Sequence, residues 1–230
     1  FEQFWLLLRQ LRAKGLREIR GDLVLDRSHF APAQHDPARF DNEPLRPYNV
    51  GPDALLLNYK SIRLGFVPDE KARSVAVSAE PAPAQLDVVN LVKLGEGACG
   101  SAWYDGIRMD LVAAGAGVRL ILTGSYPAAC GEKSRHVAVL EHPQFVAGVF
   151  RQLWGELGGT FGGGVRDGAV PAGARLLARG ESPPLAEVVR EINKFSNNVM
   201  ARQLWLTLGS ETAKRPARNS DAEAALRAWL

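Results

Sequence analysis

The hydrophobic pattern along the chain changes period twice. Near the start, Phe4, Leu7, Leu8 and Leu11 recur at helical spacing and Lys14-Gly15 closes the run, so this segment is expected to be an amphipathic helix. From Gly21 to Asp26 the spacing shortens to an alternation, which marks a strand entered from a turn. Residues 31–53 lose any period and gather Pro32, Pro37, Pro44, Pro47 and Pro52 among Asp and Asn; long irregular segments of this kind in compact domains are often functional. Seven apolar stretches then read as strands: Ala54–Tyr59, Ser61–Phe66, Val75–Val77, Val88–Val92, Ile107–Val112, Val118–Gly124 and His136–Val139, with a turn region at Pro81 and Pro83.

At His142-Pro143 the helical period returns. Phe145, Val149, Phe150, Leu153, Trp154 and Leu157 form one stripe, stopped by Gly158-Gly159, as glycines stop helices. A short extended piece follows from Thr160 to Val165. Ser182-Pro183-Pro184 starts a helix with Leu185, Val188, Val189 and Ile192 on one face, and Val199, Met200, Gln203, Leu204 and Leu208 continue as another. Between them stands Ser196-Asn197-Asn198. Ser and Asn compete for backbone hydrogen bonds inside helices, so this tripeptide predicts a corner that presents a hydroxyl and an amide on one side of a cleft. Ser220-Asp221-Ala222-Glu223 reads as a capping box ahead of Ala225, Leu226 and Trp229. Strands first and helices afterwards predict an α+β chain with a boundary near residue 140. Because the chain starts at Phe1 inside one helical pattern and ends at Leu230 inside another, it is expected to be an internal piece of a longer protein.

Composition narrows the class. The 230 residues are 46% hydrophobic and 23% charged, with a formal net charge of +3. That balance suits a globular chain with a sizeable core and calls for neither nucleic acid nor a polybasic membrane contact. No apolar run is long enough to span a bilayer. Cys99 and Cys130 are the two cysteines; they read equally as separate buried thiols or as one disulfide of an exported protein.

Several motifs are decoys. Gly95-Glu96-Gly97-Ala98-Cys99-Gly100 has glycines at dinucleotide spacing, but Ser101–Gly106 looks like a turn into a strand, and no acid lies between Asp110 and Glu132, so the helix and the ribose-binding acid are missing. His29, His35, His136 and His142 form no metal-binding pattern. Gly162-Gly163-Gly164 lacks the Lys-Ser/Thr of a phosphate loop. Trp103, Trp154 and Trp205 read as core or interface residues, with no basic-aromatic interleaving to support base stacking.

A tripeptide of the form Ser-x-Asn carries little by itself, but its neighbourhood carries more. The stretch NKFSNNVMARQL at 193–204 resembles the second active-site motif of the class C penicillin-binding proteins, the D-alanyl-D-alanine carboxypeptidase/endopeptidase family of serine peptidases. So do GDLVLDRSHF at 21–30, PYNVGPDALLLNYKSI at 47–62, CGSAWYDG at 99–106 and LTGSYPAACG at 122–131. The resemblance implies that residues 1–140 are accessory domains inserted between the first and second active-site motifs, and that 141–230 are part of a transpeptidase-like catalytic domain. It implies Ser196 as a proton-relay hydroxyl and Asn198 as the amide that holds substrate and orients the catalytic lysine. It implies export to the periplasm, a Cys99–Cys130 bridge, peptidoglycan stem peptides and β-lactams as partners, and no cofactor. Within the Pro-rich segment, Tyr48 and Asp41 are the expected substrate contacts, the alternative being that Tyr48 packs on its own domain. The chain contains no Ser-x-x-Lys and no Lys-Ser/Thr-Gly; Lys60-Ser61-Ile62 and Lys133-Ser134-Arg135 fail at the third position. The piece is therefore expected to be inactive alone. A non-catalytic peptidoglycan-binding or scaffold protein is the competing expectation.

Overall fold

The computed structural model describes residues 1–31, 34–213 and 215–230; Pro32 of the Pro-rich segment lies outside the described residues. Five α-helices and ten strands alternate as α1 (Glu2–Ala13), β1 (Glu18–Ile19), β2 (Leu23–Leu25), β3 (Ile62–Asp69), β4 (Ser74–Glu80), β5 (Leu86–Gly95), β6 (Ile107–Ala114), β7 (Gly117–Pro127), β8 (Lys133–Val137), α2 (His142–Glu156), β9 (Thr160–Phe161), β10 (Val165–Asp167), α3 (Leu185–Phe195), α4 (Asn198–Thr212) and α5 (Asn219–Trp229) among the described residues. The α+β class follows directly.

The chain packs as two compact units, Lys60–Gln152 and a second made of Phe1–Tyr59 with Leu153–Leu230. This differs from a linear division at residue 140. The reason is pairing between distant segments: β1 runs parallel to β9 and β2 parallel to β10, and parallel neighbours need a long connection. Here both connections include the whole Lys60–Gln152 unit.

That unit is a six-stranded sheet in the order β6-β7-β5-β4-β3-β8. β5 and β7 are parallel over Leu86–Gly95 and Val118–Pro127, and the other pairs are antiparallel. Its core collects Ile62, Leu64, Phe66, Leu120, Leu122 and Tyr126, with Phe145 and Val149 from α2, all buried. Trp103 meets Phe66 and Tyr126 edge-on at 5.5 and 5.6 Å, in packing and not on a stacking platform. Gly124 has φ +105°, and a Cβ there would lie 2.1 Å from the Gly106 carbonyl, so the β6–β7 pairing requires glycine at this point. After the Gly95–Gly100 stretch comes a short 3-10 turn, Trp103–Gly106, and then β6; no α-helix opens there. Cys99 and Cys130 are joined in a disulfide.

In the other unit Arg12 of α1 donates to the Leu157 and Leu16 carbonyls at 3.0 Å each, and its guanidinium lies 5.4 Å over the ring of Trp154. Trp154 in turn donates to the Thr160 carbonyl at 3.0 Å, which fixes the start of β9. Gly158, with φ +72°, makes the left-handed turn after α2 that the Gly158-Gly159 stop predicts. Phe30, Leu206 and Ala217 form a buried cluster with Ala54 against it.

Two expectations fail locally. Ala54–Tyr59 is not a strand: a turn at Ala54-Leu55 leads to a one-turn helix at Asn58–Lys60. Its three residues have φ of +47°, +52° and +52°, a left-handed turn that no strand continues through. The cap of α5 is Arg218, whose N–H donates to Asp221 at 2.7 Å, so the helix starts one residue before Ser220.

Candidate functional site

The Ser196-Asn197-Asn198 corner forms as its composition predicts. α3 ends at Phe195, and Ser196 turns left-handed at φ +49°, ψ +46°. The Asn197 N–H then reaches back to the Ile192 carbonyl at 3.0 Å. This is the closure that glycine usually supplies at a helix end; a serine here costs about 1 kcal/mol of backbone strain. Asn197 is the N-cap of α4, its Oδ1 accepting from the Met200 N–H at 3.0 Å, the arrangement that makes Asn a favoured cap. Asn198 is the first helical residue. Val199 and Ile192 are buried and anchor the two helices, whereas Ser196 and Asn198 are exposed. Their side chains hydrogen-bond to none of the described residues. The corner thus leaves one hydroxyl and one amide exposed.

The segment 50–59 is tied to α4 beside that corner. Gln203 donates to the Asp53 carbonyl at 2.5 Å and accepts from the Asp53 N–H at 3.0 Å. Arg202 donates to the Val50 carbonyl at 3.4 Å. Asn197 Nδ2 donates to Tyr59 Oη at 3.3 Å, across 138 positions of sequence. Asp53 is buried and accepts from Arg27 through Nε at 2.8 Å and Nη2 at 2.5 Å; the hydrogen bond to Asp53 holds the Arg27 guanidinium above its ordinary pKa.

Asp41 and Tyr48 do come together. Tyr48 Oη donates to one Asp41 oxygen at 2.7 Å, and Asn49 Nδ2 donates to the other at 2.7 Å. The Tyr48 hydroxyl, helped by Asn49, holds the Asp41 carboxyl below the usual carboxylate range, and the same bond raises the Tyr48 phenol. Tyr48 is 44% exposed while its hydroxyl is engaged. A cavity of about 370 Å³ lies nearby, lined by His35, Asp36, Arg39, Phe40, Asn49 and Arg202 among others; Ser196, Asp41 and Tyr48 do not line it. The reading of single residues missed Tyr59 and the role of Asn197. The helix-breaking composition of Ser196–Asn198 marked a corner, with Ser as the capping candidate, whereas the cap is Asn197.

Comparison with known proteins finds similarity along nearly the whole chain. A family model described as the D-Ala-D-Ala carboxypeptidase 3 (S13) family matches residues 2–230. The D-alanyl-D-alanine carboxypeptidase DacB of Haemophilus influenzae is 24% identical over 215 residues, covering 94% of this chain and 44% of the relative. The D-alanyl-D-alanine carboxypeptidase of Actinomadura sp. (strain R39) is 29% identical over 216 residues, covering 89% of this chain and 38% of the relative. The crystal structure of penicillin binding protein 4 (dacB) from Haemophilus influenzae superposes with a TM-score of 0.73 at 23% identity, over 99% of this chain and 49% of that one. A second structure of that protein, in complex with a β-lactam, gives a TM-score of 0.65 at 23% identity, over 100% of this chain and 47% of that one. The chain spans less than half the length of the relatives it matches.

Proposed function

The chain belongs to the D-Ala-D-Ala carboxypeptidase 3 (S13) family, and on that premise we propose that it carries the Ser-x-Asn side of the active site of a serine-type D-Ala-D-Ala carboxypeptidase/endopeptidase. The observation that supports this most is the corner itself: a strained, exposed Ser196 and an exposed Asn198 on a backbone fixed by buried anchors on both sides.

The chemistry is acyl transfer on a peptidoglycan stem peptide. A serine hydroxyl of a Ser-x-x-Lys segment, which this chain does not contain, gives its proton to the lysine and bonds to the carbonyl carbon of the penultimate D-Ala. The C–N bond to the next residue breaks, and the leaving amine takes up a proton relayed through the Ser196 hydroxyl. Water then hydrolyses the ester and frees the serine. The Asn198 amide hydrogen-bonds the substrate's peptide group and the lysine. β-Lactams acylate the same serine, in keeping with the β-lactam complex of the related Haemophilus protein. Tyr48 and Asp41 contact the stem peptide from the accessory region. Residues 1–140 are read as the accessory region and 141–230, with α3–α5, as part of the catalytic domain. The disulfide suits the oxidising periplasm.

The test uses two proteins, this 230-residue chain and the product of the same gene extended in both directions. Each is incubated with a fluorescent penicillin and run on a denaturing gel. Covalent label on the extended protein alone is the expected result. Label on neither favours a non-catalytic peptidoglycan-binding scaffold, and label on the short chain overturns this account of the nucleophile.

A further inference from the structure

We propose that Tyr59 is a positioning residue of the Ser-x-Asn corner, acting through the side-chain amide of Asn197; the inference rests on the roles given above to Ser196 and Asn198. Asn197 sits between these two residues, and both ends of its amide are engaged. Oδ1 accepts from the Met200 N–H, so Nδ2 must face the other way, and there it donates to Tyr59 Oη. An amide held at oxygen and nitrogen cannot rotate. The peptide groups that carry Ser196 on one side and Asn198 on the other are fixed with it.

The far end of this tie has its own unusual backbone. Asn58, Tyr59 and Lys60 are all left-handed, at φ +47°, +52° and +52°. Non-glycine residues enter this region singly and at a cost, so three in succession mark a turn that the surrounding contacts over-determine. The turn ends the segment that Gln203 and Arg202 tie to α4 through Asp53 and Val50. Those two contacts lie one to two turns along α4; Tyr59 supplies the contact at the helix start, next to the exposed hydroxyl and amide. Replacing Tyr59 by Phe removes one oxygen, keeps the ring, and leaves the Asn197 cap and the Asp53–Gln203 pair in place. A purely structural role would therefore be little disturbed.

The experiment uses the full-length parent protein with Tyr59→Phe, Asn197→Ser and both together. Serine keeps a capping oxygen at the start of α4 but is too short to reach Tyr59. The readouts are the acylation rate constant with a fluorescent penicillin, the fraction labelled at saturation, and kcat and KM on a D-Ala-D-Ala peptide. Each single variant is expected to acylate roughly five- to tenfold more slowly, the scale of one hydrogen bond, with kcat falling, KM near the parent's and the whole population still labelled. The double variant is expected to be no slower than the slower single one. Acylation of Tyr59→Phe at the parent rate, effects that multiply in the double variant, or a labelled fraction that falls in step with activity would each overturn the proposal. Ser196→Ala separates the two levels. If it acylates normally, the reading of the site is wrong and this inference goes with it. If it is slow while Tyr59→Phe is normal, only the role of Tyr59 fails.

Discussion

At the scale of the residue, Ser196 occupies a left-handed position that glycine fills without strain. Ser196→Gly is therefore expected to raise the unfolding free energy by about 0.5–1 kcal/mol while lowering acylation sharply, measured by denaturant unfolding alongside penicillin labelling; loss of both stability and activity would contradict the assignment. Arg73 provides the control away from the site. It is exposed and left-handed at φ +51° in the turn between β3 and β4, so Arg73→Gly should add about 0.5–1 kcal/mol and leave acylation unchanged. Asp41 sets a pH dependence. Its carboxyl titrates below the ordinary range because Tyr48 and Asn49 donate to its charged form. A lowered folded-state pKa contributes stability above the unfolded carboxyl value, and that contribution is lost as pH falls through the folded one. A carbon-detected NMR titration of Asp41 should show the low value, and Tyr48→Phe should move it back up. An unmoved titration would mean that the hydrogen bond between them does not form in solution.

At the scale of the element, helices and long strands are legible because burial imposes a period on them. α1, α2, α3 and α4 each carry an apolar stripe, and β3–β7 stand where apolar runs predict them, within three residues at either end, whereas β8 runs over Lys133–Val137, mostly ahead of the predicted His136–Val139. β1 is only two residues long, too short to show alternation; β9 and the start of β10 fall on the extended piece predicted from Thr160 to Val165, but their pairing with β1 and β2 is not legible because those partners lie far away in sequence. Ala54–Tyr59 misleads for another reason: Leu55, Leu56 and Leu57 look like a buried strand, but the left-handed turn at Asn58–Lys60 gives the chain a bend that apolarity does not encode. The Asp53 latch shows how such a segment is held. Arg27→Ala would leave a buried carboxylate with a single strong donor removed, and is expected to destabilise this unit by about 2–3 kcal/mol, less than for a fully buried pair because Arg27 is partly solvated. Thermal unfolding of the variant checks it, and an unchanged midpoint would contradict it. The corner of Ser196–Asn198 was legible as a corner from its polar run between two stripes. Its tie to Tyr59 was not, since nothing local couples residues 138 positions apart.

At the scale of the whole chain, two units divide the work of stability. The sheet unit contains the bridge between Cys99 and Cys130, which closes a loop of sequence separation 31; on a chain-entropy account such a loop contributes about 3–4 kcal/mol. Cys99→Ser with Cys130→Ser should lower the unfolding free energy of that unit by this amount in an oxidising buffer, and have no further effect once reductant is added. The other unit carries the corner, the latch and the Asp41–Tyr48 pair, assembled from the two ends of the chain. The measurement that bears most directly on the account is the acylation rate of the full-length parent protein by a fluorescent penicillin, with Ser196 intact and with Ser196→Ala. A proton relay contributes on the order of 10²-fold or more to such a step. The account predicts that Ser196→Ala slows acylation by about that factor while the unfolding midpoint stays within a few degrees of the parent's; acylation at the parent rate would contradict it.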